Sequence, residues 1–285
     1  MDNPTGKMRP VRIKFEEMRS PEIGRLVEKG ATILLPIGAV EEHSRHLPVS
    51  TDTTIAYAAA LAAAGRVAGR IPVAVLPPVW FGYSVALLKN WPGTITIRPK
   101  VLIDYLYEMC RSLIDMGFTK ILIVNGHGNN PGVLDVMART VGDDFKVFPG
   151  VVNTYGLADP AVIRRERKSK AGGIGHACEL ETSLMLYLTD LTDMSRAGRT
   201  DIMKSTLRHC PVDTYAGGRK DLYLSTWYLE NSTHGGAGDP TVATKAFGET
   251  IFNSIVAALA DVIGEFHGTQ VALAKRKLKR KCRRF

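Results

Sequence analysis

Apolar and polar positions alternate in blocks along most of this chain. "ATILLPIG", 31 to 38, is a continuous apolar run of strand length. Such a run suits a parallel strand covered on both faces. "IPVAVLPPVWFG" predicts a second buried strand, broken at Pro77 and Pro78, and "KILIVN" a third. "FKVFPGVV" reads as a further strand, and "PGTITI", 92 to 97, as a short alternating one. Between them lie helical stretches. "SPEIGRLVEKG" offers Ser20 as cap, Pro21 in the first turn and Gly30 at the exit. "TTIAYAAALAAAGRVAG", 53 to 69, is alanine-rich. Segment 100 to 118 is apolar at 102, 105, 106, 109, 110, 113 and 114, which is helical spacing, and "PGVLDVMARTVG" continues the series. Strand and helix alternate from 31 to about 155, which predicts an α/β fold with a mostly parallel sheet and helices on both faces. Residues 205 to 240 carry little periodicity and read as a loop-rich segment closing over a site.

Length and composition change this picture little. The 285 residues, 45% hydrophobic and 23% charged, suit one sizeable core. The net charge of +9 is more informative in its placement. "KRKLKRKCRR", 275 to 284, holds eight Lys/Arg and no acid, so the body is nearly neutral. The expectation is one domain over 1–270 and a basic, disordered tail over 271–285. A like-charge run repels itself and stays solvated. Only this tail argues for nucleic acid or anionic lipid, so no specific nucleic-acid partner is expected. No apolar run approaches the roughly 18 residues that span a bilayer, and the N-terminus lacks a signal-peptide core. Cys110, Cys178, Cys210 and Cys282 form no CxxC pair. A reduced cytoplasmic setting is expected.

The chemistry-bearing residues gather where the predicted strands end. Ligands in open α/β sheets sit beyond the carboxyl ends of the strands. "GAVEEHSRHLPVSTD" places Glu41, His43 and Asp52 after the first strand. "NGHGNN" places Asn125, His127 and Asn129 after another. "GIGHACELETS" adds His176 and Glu179, on one face if a helix begins near His176. Each has a plainer reading: Asp52 as a helix cap, His127 as a loop residue, His176 with Glu179 as a surface pair. Jointly the set points to metal. Mixed His and carboxylate donors suit Zn²⁺, Mn²⁺ or Fe²⁺ rather than Ca²⁺ or Mg²⁺. Glu41, His43, Asp52, His127 and Glu179 are too many for one tetrahedral ion and suit two divalent ions with a bridging carboxylate.

Four stretches carry a resemblance: "LLPIGAVEEHSRHLPVSTD", "NGHGNN", "HACELETSLML" and "GAGDPTVATKAFGE". They resemble the signature blocks of the creatininase family of metal-dependent amidohydrolases, over about 31 to 264. The resemblance implies a three-layer α/β/α sandwich, hexameric assembly, and Glu41, His43, Asp52 and His127 as metal ligands, with Asp52 bridging. It implies His176 as proton shuttle and Glu181 as a catalytic acid that orients its neighbours. Creatinine-cleaving members carry a Glu where this chain has Asn129, so Glu179 is expected to complete the shell. "FGYSVALLKNWPGT" departs from the family pattern at Ala86 to Lys89, which implies a changed substrate pocket, with Ser84, Lys89, Trp91 and Asn129 as candidate contacts. The expected function is metal-dependent hydrolysis of a C–N bond, amide or cyclic amide, in a small polar molecule, by a metal-activated hydroxide. The alternatives are hydrolysis of a C–C bond or lactone in an oxidised sugar or keto-cyclitol, and a non-catalytic small-molecule binding protein.

Overall fold

The computed structural model describes residues 12–198, 202–204, 207, 209–210, 213, 215, 221–225 and 232–282. Strands β1 (Thr32–Ile37), β2 (Val73–Val75), β3 (Lys120–Asn125) and β4 (Gly150–Asn153) form one sheet in the order β2-β1-β3-β4. Every pairing is parallel, with Thr32 opposite Val73 and Lys120, and Leu122 opposite Gly150. Helices α1 (Ser20–Glu28), α2 (Thr51–Val67), α3 (Pro99–Asp115), α4 (Pro131–Phe145), α5 (Pro160–Glu166), α6 (Glu179–Leu188) and α7 (Lys245–Cys282) complete the framework.

The continuous apolar strands are explained by two cores, one on each face. Successive strand side chains point to opposite faces. Leu34, Val73, Val75, Leu122 and Val124 meet α2, α6 and α7 through Ala59, Ala60, Ala63, Leu184, Ile251, Ile255 and Leu259. Ile33, Leu35, Ile37, Ala74, Ile121 and Ile123 meet α3 and α4 through Leu102, Leu106, Leu113, Leu134 and Met137. The result is the expected α/β/α sandwich. Small alanines let α2 lie close to the sheet.

Four local expectations are corrected. Arg19, not Ser20, precedes α1, and its backbone N–H donates to the Glu22 carboxylate at 2.9 Å. Segment 92–97 makes only a single bridge, Val40 to Ile95. Its threonines take the bonds a ladder would use: Thr94 Oγ1 accepts from Glu42 N, and Thr96 Oγ1 accepts from Ser84 N. The Lys245–Thr269 stretch of α7 is long and apolar enough to cross a membrane by length and composition. Here Phe247, Ile251, Ile255, Leu259 and Ile263 are buried in the core. Finally, α7 continues to Cys282, through most of the segment expected as a disordered tail. That segment has no Gly or Pro to stop a helix. Much of 205–240 lies outside the described residues; its described part contributes one bridge, His176 to Ala237.

Candidate active site

Three chain segments meet beyond the carboxyl ends of β1 and β3. After β1, the chain from Gly38 carries Glu41 and His43 and enters α2, whose second residue is Asp52. After β3, Gly126 alone leads to His127. Gly38 and Gly126 make this meeting possible. A Cβ at Gly38 would overlap Thr53, and one at Gly126 would overlap the Asp52 carbonyl. Asn130 ties the loops together: its Nδ2 donates to Gly38 O at 3.0 Å, and its Oδ1 accepts from Tyr83 N at 3.0 Å. Asn125 closes the histidine loop, donating to His127 O and accepting from His127 N.

Hydrogen bonds at the back of each imidazole decide which nitrogen faces the centre. His127 Nε2 lies 3.0 Å from Tyr83 O, which only an N–H satisfies. Its Nδ1 therefore faces inward, 2.6 Å from Asp52 Oδ2 and 3.2 Å from Glu41 Oε2. His43 is reversed. Its Nδ1 donates to Glu41 O at 3.1 Å, and its Nε2 faces Asp52 Oδ1 at 3.4 Å and Glu181 Oε1 at 4.0 Å. Asp52 thus turns one oxygen to each histidine. His176 Nε2 donates to Glu42 O at 2.9 Å, leaving Nδ1 3.9 Å from Glu41 Oε2.

All these groups are buried. Burial alone would lower the histidines' affinity for protons. The carboxylates outweigh it: Asp52, Glu181 and Glu41 push His43 up to about 10, and Glu41 and Asp52 push His127 up to about 9. Burial acts against ionised Asp52, yet His43 and His127 hold it well below the usual range. Burial raises Glu181. The centre therefore demands positive charge. Two of its buried atoms, His43 Nε2 and Glu41 Oε1, have no hydrogen-bond partner among the described residues. Buried polar atoms without partners are costly. A cation accepting both lone pairs resolves this, and the donor set fits one. Glu41, Asp52 and His127 form one group with ligand atoms close enough to share an ion; His43, Asp52 and Glu181 form a second, and Glu41, His43 and His176 a third.

Glu179 is placed elsewhere. Its two oxygens accept from Lys168 N at 2.7 Å and Ser169 N at 2.9 Å, and it joins none of the three groups. The physical reason is helix phase. Helix α6 begins at Glu179, not near His176, so the predicted shared face does not form. Glu181, two residues on, turns to His43 instead. Asp52 is not a cap, since its carboxylate bonds His127 and Tyr155 rather than backbone. A cavity of about 310 Å³ opens on Glu41, Asp52, His127, His176 and Glu181. Asn129 lines it; Ser84, Lys89 and Trp91 do not. Ala86–Asn90 coil into a 3-10 turn that buries Leu88 against the cavity and exposes Lys89. Ser84 is buried behind His127, 3.5 Å from Nε2. Tyr155 escaped the sequence reading. It lines the cavity, and its hydroxyl donates to Asp52 Oδ1 at 3.4 Å. Its position just past β4 was the signal.

A parallel α/β sandwich with buried His/carboxylate groups at its strand ends has the architecture of a hydrolase with candidate metal-binding groups. The chain belongs to the creatininase family, whose model, described as creatinine amidohydrolase, matches residues 16–263. It is 32% identical over 245 residues to the mycofactocin precursor peptide peptidase of Mycolicibacterium smegmatis, covering 81% of this chain and 83% of that protein. It is 27% identical over 183 residues to the 3-dehydro-scyllo-inosose hydrolase of Thermotoga maritima. That match covers 63% of this chain and 57% of the relative, so it spans little more than half the relative's length. A solved creatininase variant of the Zn–Zn type matches with a TM-score of 0.74 at 24% identity, over 89% of this chain and 98% of that one.

Proposed function

We propose that the protein hydrolyses a C–N bond, amide or cyclic amide, in a small polar molecule, using two divalent ions. One observation carries this reading: two ligand groups share Asp52, and one of them contains His43 Nε2, which has no hydrogen-bond partner among the described residues. Glu41, Asp52 and His127 would hold one ion; His43, Asp52 and Glu181 would hold the other. Such ions supply Lewis acidity and make water nucleophilic near neutral pH. The chain's own residues supply the rest. His176 presents Nδ1 toward the cavity and carries the proton to the departing nitrogen. Tyr155, its phenol held protonated by burial and by Glu181 and Asp52, offers a donor beside Asp52. Asn129 offers an amide to the polar end of the substrate. Leu88, Ile174 and Leu180 give the cavity its apolar wall and limit water.

The family description and the peptidase relative both support C–N cleavage. A second reading, hydrolysis within a keto-cyclitol or oxidised sugar, is favoured by the inosose hydrolase relative. The protein is also read as a cytoplasmic homo-oligomer. Free buried thiols at Cys110, Cys178 and Cys210 support the first, and exposed Trp80, Phe81 and Ile95 the second. The test is elemental analysis of chelator-free protein, followed by a turnover screen of cyclic amides, formamides, short peptides, lactones and keto-cyclitols. About two equivalents of Zn, Mn or Fe and turnover of an amide are expected. Full turnover after metal removal overturns the reading, and turnover of keto-cyclitols alone selects the second.

A further inference from the structure

Glu42 is a buried acid of the first motif that belongs to none of the ligand groups. Its Oε2 accepts from Ser44 N at 3.0 Å, where Ser44 turns with φ +59°. Its Oε1 is buried, without a hydrogen-bond partner among the described residues, and lies 3.5 Å from His176 Nε2. That same nitrogen donates to the Glu42 carbonyl at 2.9 Å. One residue thus faces the back of the His176 ring with two acceptors. The far side of the carboxylate meets Gly235, with φ +82°, where a Cβ would overlap both Glu42 oxygens. The turn at Gly235 leads into Ala237, which exchanges both backbone hydrogen bonds with His176, at 2.9 and 2.8 Å. Asp239 N then donates to Gly173 O at 3.0 Å, extending the seam.

We propose that Glu42 is a positioning residue for His176. Its carbonyl and carboxylate fix the ring with Nε2 protonated and Nδ1 facing the cavity. The same carboxylate seats the Gly235 turn that holds the His176 backbone. Side chain and backbone of one histidine are thereby set by one acid. The functional part of this inference rests on the proposed role of His176; the geometric part does not. A simple role as the cap of the Ser44 turn would explain Oε2 but not the buried Oε1, which has no hydrogen-bond partner among the described residues and is aimed at the ring. Nor would it explain the glycine that the carboxylate requires at 235.

The test uses the full chain loaded with zinc. Long-range ¹H–¹⁵N spectra of ¹⁵N-histidine protein report the His176 tautomer, and amide exchange reports the seam at His176 and Ala237. Wild type is expected to show a single Nε2–H tautomer. Glu42→Ala is expected to mix the tautomers, speed both amides about tenfold and keep the metal. Turnover on the best compound of the screen should fall about 10- to 100-fold in kcat, as for other residues that orient a reacting side chain, with little change in KM. Glu42→Gln keeps an acceptor oxygen and is expected to restore the tautomer and most of kcat. Gly235→Ala should reproduce Glu42→Ala in the wild-type background and add nothing in the Glu42→Ala background. An unchanged tautomer and unchanged exchange in both Glu42→Ala and Gly235→Ala overturn the proposal. So does loss of zinc in Glu42→Gln, which would make Glu42 a ligand. Failure of the hydrolase reading would appear separately, as absence of turnover in wild type with the spectra as expected. Should Glu42→Ala not fold, Gly235→Ala and Glu42→Gln decide the matter.

Discussion

Two buried ionic clusters flank the start of α6, and they are built on opposite rules. One is the centre, with Glu41, Asp52 and Glu181 against His43, His127 and His176. The other is a brace. Arg167 meets Asp213 at 3.0 and 3.3 Å and also donates to Ser169 and Lys170. Asp213 accepts from Gly172 N and Tyr215 N, and Glu179 accepts from Lys168 N and Ser169 N. In the brace every charged group faces donors or a counter-charge. In the centre, acids crowd histidines and two buried atoms stay partnerless among the described residues. A satisfied buried cluster fixes structure, whereas an unsatisfied one is tolerated when something else binds there. The brace stabilises the loop that presents His176; the centre is the cluster whose donor set fits a cation.

The sharpest way to break this contrast is to remove the shared carboxylate. If the centre holds the two proposed ions, Asp52→Ala should lose both and lower turnover by more than about 10³-fold, because several kcal/mol of charge stabilisation at the reacting bond would disappear. Elemental analysis and kcat measure this. Retention of two equivalents of metal would show that Asp52 does not bridge the proposed ions.

The brace should answer in stability rather than metal. Arg167→Met leaves Asp213 buried with no counter-charge, which costs about 3–5 kcal/mol. Denaturant midpoints at pH 7 measure it, and metal content of the folded variant should stay at the wild-type value. Loss of metal at unchanged midpoint would merge the two clusters into one.

Glu179 and Glu181 sharpen the comparison further, because two positions separate them. Glu181→Gln should empty at least one metal position. Glu179→Gln should keep both and cost about 1–3 kcal/mol, through the two backbone donors it leaves poorly satisfied. Reversed results would restore Glu179 to the shell.

That pair also marks where legibility ended. The strands β1 and β3 and the helices α2, α3 and α4 were legible because long periodic or continuous apolar runs admit few alternatives. That Glu41, His43, Asp52 and His127 gather in one place was legible because they follow those strands. Segment 92–97 was not, since threonine side chains there replace ladder bonds, and an alternating pattern cannot tell the two apart. Glu179 misled because its part depends on where α6 begins. A shift of a few residues at a helix start rotates every side chain around the axis, and the start here is set by Cys178 and Glu181. Lys89 misled for a related reason, because the 3-10 turn that exposes it leaves no apolar period in the sequence.

The smallest expected effect is a pH dependence confined to the brace. Burial acts to raise Asp213, but the hydrogen bond and charge of Arg167 outweigh it and hold the carboxyl below its ordinary value of 3.8. A carboxylate whose folded value is depressed contributes stability that is fully present above its unfolded value. That contribution is lost as pH falls through the folded value, because the unfolded chain takes up the proton first. Asp213→Asn removes the titration. The stability gap between wild type and Asp213→Asn should therefore be flat from neutral pH down to about pH 5, and should narrow progressively below about pH 4. Urea midpoints at half-unit pH steps follow it in metal-free protein, so that metal release from the centre does not contribute. The centre itself titrates in the other sense for His43 and His127, whose raised values make their contribution strongest at low pH and lost as pH rises toward 9 to 10. A gap that widened on acidification would mean that Asp213 is held protonated, and Arg167 would then be the unpaired charge of the two clusters.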